Sequence, residues 1–319
     1  MSAETLQIDD DSVWDDFVRR SPHGSPFMLS AMLRACSDRF ERWGWLEDGR
    51  LRAVAPVFKD GDGRPCPPPA FMLYQGMLLE PADGNRQSDL TRKFRVTESF
   101  LAAMTERFDR LDWHQHWAFE DLRPFQWLNY HSPQAGQFSL RLLYTGIADL
   151  GEAEDFDHYL GSIRTLRRRE WNKAAKTVTA IEPCHDIDAL IDLHDRTYGR
   201  QGLTLGDGLT EHRHRIVQAG LDHGFGRLGR ASTASGLASM IYFLFLGDTA
   251  YYLFGASDPD QRASGASTVL MLSMIKDAAA AGIRRIDFCG LNSPTRGDYK
   301  ISLGGEPKPY FLLGWTGSK

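Results

Sequence analysis

The chain has 319 residues, which is enough for two average domains with a substantial core. Charged residues make up 25% and apolar residues 42%, so the composition is that of a globular enzyme and excludes a disordered or collagen-like chain. The net charge of −5 argues against a broad basic surface for nucleic acid, so any RNA contact must be confined to a local basic patch.

No export or membrane segment is predicted. Residues 1–13 are acidic and polar and lack the basic and apolar regions of a secretory signal, so a cytoplasmic protein is expected. The longest apolar stretch, residues 237–246, alternates like a strand and is about half as long as a membrane span. Neither a disulfide framework nor a zinc site is predicted, because no CxxC spacing links Cys36, Cys66, Cys184 and Cys289.

The first 150 residues are predicted to form an N-terminal α/β domain, and residues 151–319 a C-terminal one. Asp48-Gly49 lies between two apolar runs and predicts a hairpin, because this pair accommodates the positive φ angles of a type I′ turn. Periodicity predicts helices over 13–18, 30–40 and 88–111, and strands over 112–119 and 138–143. Helices and strands that follow one another in this way are typical of an α/β fold.

The C-terminal half begins with a basic helical stretch, residues 159–176, and continues with a strand over 178–182 and a helix over 187–199. Three successive strands then form a predicted antiparallel meander. Gly265-Ala266-Ser267 opens the next helix, whose apolar stripe ends at the C-cap glycine Gly282, before a buried strand over 286–288.

Four motifs in this half resemble the Fem-type peptidyltransferases of the GNAT superfamily. They are Tyr251–Ser257, Ala281-Gly282, Asp287–Gly290 and Asp298-Tyr299-Lys300-x-x-Leu303-Gly304-Gly305. The N-terminal half shows fainter similarity in Ser25-Pro26-Phe27, Asp121-x-Arg123-Pro124-Phe125-x-Trp127 and Tyr144-Thr145.

This resemblance implies tandem GNAT-like domains, each a mixed, mostly antiparallel twisted sheet flanked by helices. It further implies an acyltransferase that uses aminoacyl-tRNA as donor and the amine of a cell-wall precursor or small metabolite as acceptor, with no resident cofactor or metal. The chain lacks the long helical hairpin of some members, and Arg262-x-x-Gly265-x-Ser267 only approximates the loop that holds CoA pyrophosphate. Acyl-CoA therefore stays open as the donor, as does a non-catalytic role in polysaccharide assembly.

Lys300 is the first catalytic candidate, because the resemblance places a lysine at the reacting end of the cleft, where an ammonium can stabilise an oxyanion or the leaving ribose oxygen. The alternative is a surface lysine in a turn. Tyr299 either donates a proton or packs. Asp298 either steers the attacking amine or caps a turn.

Arg262, Ser264, Gly265 and Ala266 are the donor-binding candidates, since a helix N-terminus with a nearby cation suits phosphate or carboxylate. An ordinary capped helix has the same sequence. Tyr252, Asp287 and Asn292 are substrate-binding candidates; a carboxylate such as Asp287 in an apolar strand must be paired or perturbed if buried, so a structural role is open.

Arg164, Arg167 and Arg168 share one side of a predicted helix, which indicates phosphate recognition on tRNA or a nucleotide-linked acceptor, or else a solvated face. The pairs His114 with His116 and His212 with His214, the latter if extended, provide too few ligands for a metal site and indicate polar strand faces. Three tryptophans are expected in the core: Trp113, Trp117 and Trp127.

Overall fold

The computed structural model describes residues 3–82, 84–153, 155–174, 176–200 and 208–317. The chain divides into two compact units: unit 1, residues 1–143 with 309–319, and unit 2, residues 144–308. The predicted domain boundary at residue 150 remains a prediction. None of the described helices is long and apolar enough to cross a membrane.

Helices and strands alternate along the chain, and the mixed α/β fold class is confirmed. In chain order the elements are β1 (Ala3–Gln7), α1 (Asp11–Arg20), α2 (Ser30–Cys36), β2 (Phe40–Glu47), β3 (Arg50–Lys59), β4 (Pro65–Cys66), β5 (Leu78–Leu79), α3 (Arg86–Arg107), β6 (Arg110–Gln115), α4 (Arg123–Trp127), β7 (Ser139–Asp149), α5 (Phe156–Ser162), α6 (Thr165–Ala174), β8 (Val178–Cys184), α7 (Ile187–Arg200), α8 (Leu209–Asp222), β9 (Gly226–Thr233), β10 (Gly236–Leu246), β11 (Thr249–Ser257), α9 (Ala266–Ala280), β12 (Arg285–Asp287), α10 (Pro294–Ser302) and β13 (Glu306–Thr316).

Unit 1 contains a five-stranded sheet in the order β1-β2-β3-β4, with β5 also paired to β3. The hairpin between β2 and β3 is confirmed: Asp48 and Gly49 have φ angles of 49° and 74°. Strand β1 was not predicted, because its residues are polar; it pairs antiparallel with β2, with Ala3 opposite Glu47. Strand β6 pairs antiparallel with β13, with Phe311 opposite Gln115.

Aromatic side chains fill the core of unit 1. Trp113 is 1% exposed, as predicted, and its ring stacks on Phe138 with 6.3 Å between centroids. The prediction for Trp127 is wrong: this side chain is 49% exposed. Its position on the short helix α4 leaves one face in solvent while the ring meets Phe94 edge-on at 5.5 Å.

Unit 2 is a sheet in the order β7-β12-β11-β10-β9-β8, against which α9 packs its apolar stripe. Leu270, Met271 and Ile275 are fully buried, so the predicted stripe is confirmed. The predicted meander corresponds to β9, β10 and β11, which are antiparallel.

One local prediction in unit 2 is wrong, and two of the open alternatives do not hold. The basic helical stretch is two helices, α5 and α6, which are interrupted at residues 163–164. His212 and His214 lie on helix α8, not on an extended segment, because tertiary packing of α8 against β9 and α7 favours a helix there. Lys300 lies on helix α10 rather than in a turn.

Strands β11 and β12 are parallel neighbours over a short distance only. Thr249 lies opposite Arg285 and Tyr251 opposite Asp287, and the pairing ends there. Beyond β12 the chain stays with β7, since Phe288 N–H donates to Gly146 O at 2.9 Å and Leu291 N–H to Tyr144 O at 2.7 Å. Strand β11 meanwhile continues beside β10 after a bulge near Leu253. The two strands therefore part at Tyr252 and leave room between them.

Candidate active site

A cleft of about 780 Å³ lies in unit 2 where β11 parts from β12. Its walls come from β11, α6, α10, and the turn that precedes α9. The cleft brings together most of the predicted site residues, namely Arg167, Tyr252, Arg262, Ser264, Gly265, Ala266, Asp298, Tyr299 and Lys300.

Lys300 presents its ammonium group at the point where the strands separate. Nζ donates to Gly290 O at 2.7 Å and to Cys289 O at 3.4 Å, and it lies 5.5 Å from the centre of the Tyr252 ring. Asp287 ends β12 immediately before these carbonyls. The ammonium is therefore held by the backbone of the segment after β12, on the cleft wall rather than in bulk solvent.

Tyr252 lies across the backbone of Gly255, also on β11. A Cβ atom added to Gly255 would overlap the Tyr252 hydroxyl, so only glycine allows this close approach. The ring also meets Phe288 at 6.4 Å, nearly perpendicular. Tyr252 thus forms a rigid aromatic wall beside the Lys300 ammonium.

Tyr299 is packed into the cleft wall. The Arg167 guanidinium lies 4.6 Å from the centre of its ring, a cation–π contact. Burial raises the pKa of Tyr299, although the nearby Ser267 and Thr268 hydroxyls lower it in part. No described atom stands in good hydrogen-bonding geometry to the buried hydroxyl. The phenol therefore keeps its proton at neutral pH, which suits packing or proton donation.

Asp298 is engaged by Arg164 in a bidentate pair, with both N–O distances 2.9 Å. The hydrogen bonds from Arg164 hold the pKa of the Asp298 carboxyl below its usual range. Both side chains are largely exposed, so the pair contributes little to stability. Arg164, a predicted phosphate ligand, instead contacts this carboxylate.

Arg167 and Glu170 face each other across one turn of α6. Arg167 Nη1 donates to Glu170 Oε2 at 2.7 Å, and Arg167 Nε donates to Ser302 Oγ at 2.7 Å. Thr268 Oγ1 donates to the same Glu170 oxygen at 2.6 Å. Glu170 was not among the predicted site residues, although its i, i+3 spacing from Arg167 was an available signal. Arg168 bonds to Thr165 instead and does not line the cleft.

The turn before α9 has the geometry expected of a donor site. Gly265 adopts a left-handed conformation with φ of 74°, and as the N-cap residue of α9 it supplies no side-chain cap. Ser264 Oγ accepts from Ala266 N–H at 3.2 Å, and Arg262 is exposed at the rim of the cleft. The first turn of a helix leaves N–H groups without intrahelical partners, so these groups can donate hydrogen bonds to a ligand.

Asp287 and Asn292 do not line the cleft. Asp287 is fully buried, and its Oδ1 accepts from Thr145 Oγ1 at 2.5 Å and from Cys289 N–H at 2.8 Å. Asn292 pairs with both backbone groups of Tyr144, at 2.8 and 3.0 Å. Both side chains fix the segment that presents the carbonyls to Lys300, which agrees with the structural reading of Asp287; substrate binding by either stays a prediction.

Comparison with known proteins agrees with this geometry. Residues 161–301 match the family described as acetyltransferase (GNAT) domain. The crystal structure of FemX is similar over 97% of this chain and 96% of its own, with a TM-score of 0.71 at 15% identity. A tandem GNAT protein from the clavulanic acid biosynthesis pathway is similar over 100% and 99%, with a TM-score of 0.53 at 14% identity. L-PGS from Bacillus licheniformis is similar over 95% and 91%, with a TM-score of 0.53 at 13% identity.

No protein with a curated function matches the sequence. Residues 161–301 carry a GNAT acyltransferase domain, and the cleft lies within this part of the chain. More particularly, the fold is similar to that of FemX and to that of the tandem GNAT protein, so the expected Fem-type resemblance is confirmed at the level of the fold.

Proposed function

We propose that this chain transfers an aminoacyl group from aminoacyl-tRNA to an amine acceptor. The observation that carries the proposal is the Lys300 ammonium on the wall of the same cleft as the Gly265 turn, at the point where β11 and β12 part. The Fem-type resemblance supplies the donor class, and it makes a cell-wall precursor or a small metabolite in the cytoplasm the proposed acceptor.

In this reaction the acceptor nitrogen attacks the aminoacyl carbonyl carbon and forms a C–N bond. The tetrahedral intermediate then collapses, the ester C–O bond breaks, the nitrogen loses one proton, and the ribose oxygen leaves as a hydroxyl group after gaining one. In this proposal Lys300 stabilises the oxyanion or gives the ribose oxygen its proton. A donor that acts on developing charge in this way contributes about 3–4 kcal/mol in known acyl-transfer sites.

Tyr299 and Tyr252 help to position the bound substrates. Tyr299 holds its phenol on the same wall, beneath the Arg167 guanidinium, and Tyr252 closes the cleft beside Lys300. Asp298 keeps the Arg164 guanidinium at the exposed edge of α10. Arg262, exposed at the rim of the cleft, can attract the phosphates of the tRNA acceptor end.

Acyl-CoA is the second candidate donor. The left-handed Gly265 at the head of α9, together with Arg262, favours it, because a turn of this kind can receive a pyrophosphate. A non-catalytic role in polysaccharide assembly is the third reading.

The three readings are separated by measuring transfer from charged tRNA and from acetyl-CoA to a panel of amines, together with filter binding and calorimetry. We expect saturable binding of charged tRNA and turnover that is lost in Lys300→Ala. Saturable CoA binding without tRNA binding would favour the second donor. Absence of turnover with either donor, with an unchanged cellular phenotype in Lys300→Ala, would favour the non-catalytic role.

A further inference from the structure

Two carboxylates lie among the residues that line the cleft, and they are held differently. Both oxygens of Asp298 are taken by Arg164. Glu170 receives its two hydrogen bonds, from Arg167 and Thr268, on Oε2 alone. Among the described residues no donor contacts Oε1, although the side chain is only 29% exposed. Glu170 therefore keeps one carboxylate oxygen for a partner that the chain does not supply.

Glu170 sits against the turn that opens α9. Thr268 belongs to the first turn of this helix, and a Cβ placed on Gly265 would lie 3.9 Å from the Glu170 Cβ. A negative charge near a helix N-terminus is favourable, because it meets the positive end of the helix dipole. The chain has thus placed its own anion close to the position where a CoA-binding turn receives a phosphate.

The carboxylate changes which ligand this part of the cleft favours. A phosphate oxygen at the turn would face the open carboxylate oxygen of Glu170 and be repelled, whereas an ammonium group would be attracted and could donate a hydrogen bond to that oxygen. The Arg167 and Thr268 contacts fix the orientation of the carboxylate in advance, so that little side-chain freedom is lost on binding.

We propose that Glu170 Oε1 binds the α-ammonium group of the aminoacyl donor and so selects an aminoacyl ester over a simple acyl group. This inference rests on the proposed aminoacyl transfer and adds the residue that recognises the α-ammonium group of the donor. Lys300 then acts on the carbonyl and leaving oxygen, while Glu170 holds the charged nitrogen two bonds away from the carbonyl carbon.

The test compares two donors of nearly equal size: a charged tRNA with its free α-amine, and the same tRNA after deamination to the α-hydroxyacyl ester. Wild type is expected to prefer the aminoacyl donor in kcat/KM. Glu170→Gln should lose about 10- to 100-fold with the aminoacyl donor, the range for a hydrogen bond to a charged group, and change little with the hydroxyacyl donor. Glu170→Asp keeps the charge and should retain part of the preference.

Glu182→Gln is the matched control. Glu182 is also paired with an arginine, Arg230, at 2.6 Å, but it lies on β8 outside the lining of the cleft. This variant should leave both donors unaffected, and thermal unfolding of each variant checks that the fold is retained.

Two failures can be told apart. If wild type uses neither esterified tRNA, the proposed function itself fails and the inference with it. If wild type uses aminoacyl-tRNA but Glu170→Gln loses activity equally with both donors, or with neither, Glu170 does not read the ammonium group and the inference alone is overturned.

Discussion

Two helix N-termini, one in each unit, differ in whether the N-cap side chain accepts a hydrogen bond from the first turn. In unit 1, Asn85 caps α3 by accepting the Ser88 N–H at 3.0 Å, and Asp89 in its first turn pairs with Lys93 at 2.8 Å. In unit 2, α9 begins at the left-handed Gly265 with no side-chain cap, and its first turn faces the cleft. The chain thus closes one terminus with its own side chains and leaves the other available to a ligand, at a cost of about a few tenths of a kcal/mol, because glycine is a tolerated N-cap residue.

The charged groups of the two units differ in the same way. In unit 1, Glu80 is only 4% exposed and is surrounded by arginines: Arg50 at 2.9 Å, Arg52 at 2.6 Å, and Arg92. In unit 2, Lys300 and Glu170 lie on the wall of an open cleft. The carboxylate of Glu80 is thus neutralised within unit 1, whereas Lys300 and Glu170 of unit 2 line a cleft.

The largest effect is expected for Lys300→Ala, which removes the proposed oxyanion donor. The rate constant kcat should fall about 10²- to 10³-fold, because a positioned donor of this kind acts mainly on the transition state. Single-turnover kinetics with saturating donor measures it. Lys300→Arg, which keeps the charge with another shape, should fall less. A loss confined to KM would assign Lys300 to binding instead.

The second prediction concerns His23, whose buried ring in unit 1 accepts the Leu79 N–H at 3.4 Å. Burial lowers the pKa of His23 from 6.5 to about 3, so the unfolded chain binds a proton that the folded chain does not. Stability from this group is present above pH 6.5 and is lost as pH falls from 6.5 towards 3. At pH 5 the loss is about 2 kcal/mol.

Denaturant unfolding of wild type and His23→Gln between pH 7 and pH 4 measures this loss. The glutamine can still accept the Leu79 N–H but does not titrate, so its stability should vary less with pH. Equal slopes for the two proteins would exclude His23 as the titrating group.

The third prediction compares two left-handed glycines, one at the open helix terminus and one outside the cleft. Gly265→Ala should destabilise the protein by about 1–2 kcal/mol, because its φ of 74° disfavours a side chain, and a Cβ would come within 3.2 Å of Ala174. The donor KM should also rise, since the turn would shift.

Gly282→Ala is the matched control, with φ of 89° and no atom within 4 Å of the added Cβ. It should lower Tm by a similar amount without changing the donor KM. If both variants raise the KM equally, the turn at Gly265 has no particular part in donor binding.

The smallest effect is expected for Asn85→Ala at the closed terminus. Loss of the cap should reduce stability by about 1 kcal/mol, and kcat and KM should stay at wild-type values. Urea unfolding and steady-state kinetics together make the measurement, with Asn85→Asp as the variant that retains a cap. A change in kcat would contradict the view that the N-terminus of α3 contributes to stability alone.

The sequence by itself determined those features that depend on neighbours along the chain. Asp48-Gly49 predicted its hairpin because few residue pairs tolerate two positive φ angles. The α9 stripe followed from helical periodicity, and the ordered motifs from Tyr251 to Gly305 indicated a GNAT-like fold and selected Lys300 and Gly265. These signals are local, or depend on a resemblance that preserves local order.

Only the tertiary structure decided the contacts between distant segments. Arg164 pairs with Asp298, 134 residues later, and Glu170 enters the cleft because α6 packs against α9. The polar segment at β1 becomes a strand because β2 offers it backbone hydrogen-bond partners. Trp127 stays exposed, although a large aromatic side chain favours burial. Periodicity reports which face of an element is apolar; what that face meets depends on packing between elements that lie far apart in the chain.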